Sequence, residues 1–448
     1  MAQDKLISIP RVAEIHFILD CIADAECCAV VGLSNMGKSA LLRSVAPVAL
    51  RRVGQIKADE YVFVYIDFNL MIEMSEQAFY ELILRSARVA LQDLDVPHVQ
   101  DQLEDAYQKV IHSGNPFLAP LGFNEGVMGL CEGLSRRVVL LCDEFDEPFT
   151  SIEQRVFLNL RALKDRYDRQ LCYVVATGKQ LEEMRHGAEI GEFCELFAHQ
   201  RLFLGPLNQQ DMRMAMAGFL EGVVPTARDV DFVWDETGGH PGLLEAVCYA
   251  LIESGIVGGQ DDDKEYGFVR DKLDSDLNVR GECAKLWNGL NEKQREVLIE
   301  FVSGKKVEWD RIGPLVRNGI LRRVGQEVRV FGALFSGFVR RQRLVKKPYP
   351  PGVRVDVDSG DVWVDGERVP ALTDLEYRLM LLLYGRMGKL CGKYQIVEAV
   401  WGEDYIDQVD DARIEKLVSR LRKKIEPDLI EPRYLQTVRG RGYRLVEG

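Results

Sequence analysis

The octapeptide GLSNMGKS at 32–39 constrains this chain more than any other feature. It fits the pattern GxxxxGK[ST] without mismatch and lies between the apolar run CCAVV (27–31) and the helical stretch SALLRSV. A strand, a glycine-rich loop and a helix in that order make a cradle for phosphates. The glycines let successive backbone N–H groups turn inward, and the helix start adds partial positive charge. Gly32, Leu33, Ser34, Asn35, Met36, Gly37, Lys38, Ser39 and Ala40 are therefore expected to surround a nucleotide. Lys38 is expected to reach its β- and γ-phosphates, and the Ser39 hydroxyl to ligate Mg²⁺.

A second element should accompany such a loop. RRVVLLCDEFDE supplies a hydrophobic strand ending in Asp143-Glu144, about 105 residues beyond Lys38. Asp143 is expected to hold Mg²⁺ through water and Glu144 to polarise an attacking water. Asp146 and Glu147 read as a solvated acidic turn. LCYVVAT (171–177) ends in Thr177, with Lys179 two residues on. Thr177 suits either a polar group facing the γ-phosphate or a strand-end cap, and Asp67 is equally open. Arg161, Arg166, Arg185 and Arg201 are available as partners for phosphate charge, and nothing singles one out.

The runs 27–31, 61–68, 137–143, 171–177 and 201–207 are nearly continuous in apolar character, as parallel strands buried on both faces require. Helical patterns between them predict a doubly wound α/β sheet. The expected organisation is multidomain α/β plus α+β. A P-loop domain spans 1–207, a helical lid 208–280 and a winged helix 281–343. A basic, proline-rich linker fills 344–352, and a second winged helix 353–448. With 448 residues, about three domains are anticipated. A chain 47% hydrophobic and 28% charged is neither disordered nor collagen-like. No run approaches the roughly 18 apolar residues of a membrane span. Asp4, Lys5, Arg11 and Glu14 interrupt any signal-peptide core, so a cytoplasmic protein without membrane contact is expected. None of the ten cysteines is spaced CxxC, which predicts buried, reduced thiols rather than disulfides.

The net charge of −13 argues against a chain that clings to nucleic acid throughout. Its distribution matters more. From Lys346 onward, 18 basic residues balance 18 acidic ones, so the deficit falls in residues 1–345. Residues 413–444 carry ten bases against four acids, a local surface compatible with DNA.

The P-loop, DEFDE, the strand ending at Thr177, GPL at 205–207, GGHPG at 238–242 and a following winged helix come in a set order. Together they resemble the STAND branch of the AAA+-related ATPases over about residues 8–340. The resemblance implies that His240-Pro241 lies near the adenine and that Thr177 senses the γ-phosphate. Lys179 stands where that family commonly has arginine, and it supplies charge without a bidentate fork. It also implies a slow ATPase that alternates between ADP and ATP states with Mg²⁺. The ATP state would form a homo-oligomer, under an unknown protein or small-molecule inducer.

In VDDARIEKLVSRLRKKIE (409–426), Ile414, Leu417, Val418, Leu421 and Ile425 form one apolar stripe. Arg413, Lys416, Arg420 and Lys423 share another face, a ridge suited to a major groove. Alternating strands, ALTDLEYRLMLLLYGRMGKL, QIVEAVWG, this helix and TVRGRGYRL resemble the OmpR/PhoB-type winged-helix domain over about 353–446. The resemblance implies that Arg420 probes bases, Arg422 meets phosphate and Thr437 contacts the DNA backbone. Arg439 would approach the minor groove with Arg441 beside it on the wing, and Trp401 would pack at a phosphate-contacting helix end. Arg413, Lys416 and Ser419 depart from the usual residues, so the DNA sequence does not carry over. The function expected is an ATP-dependent, signal-transducing switch that binds double-stranded DNA and regulates transcription. The alternative is an ATPase of a defence or mobile-element system that assembles on DNA.

Overall fold

The computed structural model describes residues 10–45, 60–112, 114, 117–220, 222–258, 263–342, 352–357, 360–402, 409–426, 428 and 432–446. The linker expected at 344–352 lies outside them except for its last residue. The chain divides into two compact units. The first comprises residues up to 234 with 238–249 and 316–322; the second comprises 235–237, 250–315 and 323 onward.

In the first unit, helix α1 (Val12–Ala23) leads into β1 (Cys28–Val31), and the phosphate loop into α2 (Lys38–Ser44). Strand β2 (Tyr61–Asp67) follows, then α3 (Glu76–Leu91), α4 (Pro97–Ile111), α5 (Leu118–Gly133) and β3 (Arg137–Asp143). After α6 (Asp146–Ser151) and α7 (Gln154–Tyr167) come β4 (Leu171–Thr177), α8 (Leu181–Met184), α9 (Ala188–Cys194) and β5 (Arg201–Phe203). α10 (Gln209–Phe219), α11 (Ala227–Thr237) up to Trp234 and α12 (Pro241–Glu253) up to Tyr249 continue this unit. The five strands form a parallel sheet in the order β2-β3-β4-β1-β5. β4 thus lies between the strand feeding the phosphate loop and the strand ending in Asp143. All three end on the same edge, because Val31 pairs with Thr177 and Cys142 with Val175.

Beneath that edge is an aromatic core. Phe145 meets Phe68 and Phe157 edge-on and tilts against Phe149 and Phe193, with ring centroids 5.5–6.2 Å apart. Each such ring removes a large apolar area from water and favours offset or edge geometry. Phe145 is buried, and its N–H donates to the Ala176 carbonyl at 3.1 Å. The turn after Asp143 is therefore fixed to its neighbouring strand.

The second unit contains α13 (Asp263–Ser275), α14 (Leu277–Gly289), α15 (Glu292–Val302), α16 (Trp309–Arg317) in its first seven residues, and α17 (Ala333–Arg341). Ahead of α17 come β6 (Leu321–Val324), of which only Arg323 and Val324 belong to this unit, and β7 (Glu327–Val330). The C-terminal module opens with an antiparallel sheet of β8 (Val353–Asp356), β9 (Asp361–Val364) and β10 (Glu367–Arg368). α18 (Asp374–Gly385), α19 (Lys393–Trp401) and α20 (Asp411–Ile425) follow, then the wing hairpin of β11 (Leu435–Val438) and β12 (Gly442–Leu445). The expected apolar stripe of α20 is buried: Ile414, Leu417, Val418, Leu421 and Ile425 form its inner face. The architecture is multidomain α/β, a parallel sheet with a C-terminal winged helix. All ten cysteines are buried and free. Among the described residues, no helix is long and apolar enough to cross a membrane.

Candidate functional site

The loop after β1 has the shape its glycines permit. A Cβ on Gly32 would lie 2.9 Å from the Leu204 carbonyl oxygen, so any side chain there would force β5 away. Gly37 has φ +86°, and Asn35 takes the left-handed region at φ +57°. Leu33 and Met36 bury their side chains, whereas Ser34, Asn35 and Ser39 are half-buried and Ala40 exposed. Lys38 is buried and donates from Nζ to the carbonyls of Gly32 (2.9 Å) and Leu33 (3.3 Å).

Carboxylates gather on the neighbouring strand ends. Asp143 is buried; its Oδ2 accepts from the Tyr65 hydroxyl at 2.6 Å and its Oδ1 from the Glu144 N–H at 3.1 Å. Burial, then the Asp143 charge, pushes the Tyr65 phenol far above its ordinary pKa, so it remains a donor. The Arg43 guanidinium lies 5.0 Å from the centre of the Tyr65 ring, tying α2 to this pair. Glu144 occupies φ +54°, a conformation that persists only where the surroundings enforce it. The pinned Phe145 supplies that enforcement. Burial raises the Glu144 carboxyl to about 7; Lys38 opposes the shift, and Asp143, Asp146 and Asp67 add to it. Asp67 is raised by burial, while its Oδ1 accepts from the Asn69 N–H at 3.0 Å.

Asp146 corrects the sequence reading of a solvated turn. Its two oxygens accept from the Gly178 N–H at 2.8 and 3.0 Å, which binds the turn after β3 to the turn after β4. The Thr177 hydroxyl donates to the Lys179 carbonyl at 2.8 Å, the geometry of a strand-end cap, and the Lys179 side chain is exposed.

Two further groups reach the loop. Arg11 is buried, and its Nη2 donates to the carbonyls of Met36 and Gly205, each at 2.7 Å. Glu14 supplies the countercharge at 3.3 Å. The sequence reading missed Arg11, whose partners lie 25 and 194 residues away. His240 is buried; its Nδ1 accepts from the Leu243 N–H at 3.2 Å, starting α12. The Pro241 Cγ lies 3.8 Å from where a Gly37 Cβ would sit, so the GGHPG turn does stand beside the phosphate loop. Gly239 makes that approach possible: at φ +84°, a Cβ would overlap the Leu207 carbonyl.

The four candidate arginines are all engaged within the first unit. Arg161 pairs with Asp165 at 2.9 Å and Arg166 with Glu132 at 3.5 Å. Arg185 donates to the carbonyls of Phe149 and Ile152. Arg201 pairs with Glu182 at 2.5 Å.

In the C-terminal module, α20 presents Ser419 and Lys423 fully exposed, with Arg413, Lys416 and Arg420 half-buried beside them. Arg422 donates to the Leu435 carbonyl (2.7 and 3.0 Å) and the Thr437 hydroxyl (2.7 Å), fastening the helix to β11. Arg439 and Arg441 are exposed on the wing turn, and Trp401 is half-buried at the end of α19. The wing is held from behind: Cys391 and Tyr443 exchange backbone hydrogen bonds of 2.8 and 3.0 Å. At the other end of α20, the Glu426 carboxylate accepts from the backbone N–H groups of Arg433, Tyr434 and Leu435.

These two constructions are a P-loop-type α/β fold and a winged-helix DNA-binding module. Residues 366–445 match the family described as "Transcriptional regulatory protein, C terminal". Protein PetR of Rhodobacter capsulatus is 38% identical over 98 residues, 21% of this chain and 40% of that protein. Sensory transduction protein RegX3 of Mycolicibacterium smegmatis is 40% identical over 93 residues, 21% of this chain and 40% of its own length. The chain thus spans about 40% of the length of these curated relatives. Among solved structures, the Walker-type ATPase PABY2304 of Pyrococcus abyssi aligns over 74% of this chain and 96% of that one, at 12% identity and a TM-score of 0.46. The RstA DNA-binding domain of Klebsiella pneumoniae, solved with the RstA box, covers 22% of this chain and 96% of that one, at 23% identity and a TM-score of 0.19.

Proposed function

We propose that this chain is a nucleotide-operated transcription regulator: ATP and Mg²⁺ at the loop after β1 control how the C-terminal module engages double-stranded DNA. The observation that carries the proposal is the combination of two sites in one chain. A glycine-built loop with Lys38 stands beside Asp143 and Glu144 on one sheet edge, and a transcription-regulator domain occupies 366–445.

The residues present suit magnesium nucleotide. Lys38 is a buried cation held by loop carbonyls, and it can exchange them for phosphate oxygens. Ser39 and Asp143 are the hard oxygen ligands that Mg²⁺ prefers. Bound Mg²⁺ would neutralise charge on the β- and γ-phosphates. Glu144 near neutrality can accept a proton from an attacking water, which makes slow hydrolysis the resetting step. Pro241 provides an apolar wall beside the loop for the base. Assembly of the ATP form into a homo-oligomer, driven by an inducer, would pair modules on tandem half-sites and raise their effective concentration.

Selection from a random duplex library, run in parallel with ATP and with ADP, tests this. A motif enriched in one nucleotide state is the expected result. Retention without a motif in either state would replace the proposal with an ATPase that assembles on DNA irrespective of sequence.

A further inference from the structure

Helix α14 (Leu277–Gly289) has two buried sides. One bears Cys283, Leu286 and Trp287, with Trp287 packed edge-on against Phe338 of α17 at 6.5 Å. The other runs through Gly281, Ala284, Lys285 and Asn288, at i, i+3, i+4 and i+7, and each of these four positions meets the C-terminal module. A Cβ at Gly281 would lie 3.5 Å from Leu381 Cδ1 on α18. Ala284 is in such close contact with Gly360 that a Cβ on that glycine, at φ +70°, would overlap its methyl group. Lys285 pairs with Asp374 at the start of α18 at 2.6 Å, with only 8% of the lysine side chain exposed. Asn288 Nδ2 donates to the Gly360 carbonyl at 2.9 Å.

Arg295 completes this side from α15. Its guanidinium donates to the Trp287 and Asn288 carbonyls at 2.8 and 3.1 Å, and it senses the charges of Asp361 and Arg368 on the module's first sheet. A helix face with two small residues, one shielded ion pair and one side-chain-to-carbonyl bond is built for close fixed packing rather than passing contact.

We infer that α14 is the mount of the DNA-binding module: it fixes the module to the α13–α17 helices through Gly360, just ahead of β9, and through Asp374 and Leu381 of α18. The orientation of α20 is then set by this packing and not by the reach of the proline-rich tether. The residues used, Gly360 just ahead of β9 and Asp374 and Leu381 of α18, lie away from α20, so the exposed Ser419 and Lys423 are not consumed by it. The mount stands on its own contacts. Its use in spacing DNA half-sites rests on the function proposed above.

Hydrogen–deuterium exchange on the full chain is the test, with Ala284→Arg and Lys285→Glu as variants that leave the module's own sequence intact. Exchange in 353–364 and in the first turn of α18 should rise about tenfold, while protection of the β11–β12 hairpin stays at the wild-type level and shows the module folded. Unchanged exchange at 353–364 in both variants would overturn the mount. In library selection, the variants should keep the wild-type half-site motif but accept a wider range of spacings. Wild-type spacing in a variant whose exchange has risen would overturn the role in spacing. Absence of any motif with the wild-type chain would defeat the DNA reading, while the exchange data still decide the mount.

Discussion

Replacing Tyr65 by phenylalanine separates two roles of one side chain. The ring stays under Arg43, but Asp143 loses the hydroxyl that orients it at 2.6 Å. Loss of a buried hydrogen bond to a charged group costs about 1.5–3 kcal/mol. We expect a lower urea midpoint and a higher Mg²⁺ requirement for nucleotide binding, read by titrating a fluorescent ATP analogue against Mg²⁺. An unshifted Mg²⁺ midpoint would reduce Tyr65 to packing. Arg11→Lys asks a related question, because lysine retains the charge while losing the fork that gives Nη1 to Glu14 and Nη2 to the Met36 and Gly205 carbonyls. Stability should fall by about 1–3 kcal/mol in denaturant melts; a wild-type melt would mean that the two carbonyls are satisfied without the guanidinium. Neither residue was legible in the sequence. Lys38, Asp143 and Glu144 announce themselves by local pattern, whereas Tyr65 and Asp143 are 78 residues apart and meet only through β2–β3 pairing. With hindsight, the alternation of YVFVYID places Tyr65 on the same strand face as Asp67, a signal too common to single it out.

Elements were more readable than contacts. The runs 61–68, 137–143 and 171–177 became strands within a residue, since continuous apolar character has few other uses at that length. β5 stops at Phe203 although the apolar run continues to Leu207, for a physical reason: Pro206 has no N–H for a ladder, and Gly205 gives its carbonyl to Arg11. Gly205 also sits against Gly319, where a Cβ would come within 2.8 Å of its Cα. Glycine in LVRNGIL is thus a demand of packing that sequence alone does not state. In the C-terminal module, two arginines that look alike in sequence divide their labour. Arg422→Ala frees the Leu435 carbonyl and the Thr437 hydroxyl, so we expect lower module stability together with weaker DNA binding. Arg439→Ala touches only an exposed wing turn. It should leave the melting curve unchanged and lower the salt slope of DNA binding by about one. Calorimetry and binding titrations at several salt concentrations check both. Equal thermal losses in the two variants would deny Arg422 its structural role.

At the scale of the molecule, a nucleotide site and a DNA site in one chain would obey linked equilibria. A nucleotide changes DNA affinity only by as much as it prefers one DNA-binding state over the other. If the ATP and ADP forms differ by a coupling of about 1–3 kcal/mol, DNA affinity differs about 5–150-fold between them, and DNA must shift nucleotide affinity by that same factor. Two variants isolate the states. Lys38→Ala removes the buried cation of the loop and should bind the selected duplex equally with ATP, with ADP and with neither. Glu144→Gln keeps the loop while removing the carboxylate, so it should hold ATP without turnover and show the DNA affinity of the wild-type ATP form persistently. Anisotropy titrations on the selected duplex measure one side of the cycle, and nucleotide titrations with and without that duplex measure the other. Matching factors make the two sites one switch. A DNA affinity that follows ATP in Lys38→Ala would place the controlling nucleotide somewhere other than the loop after β1.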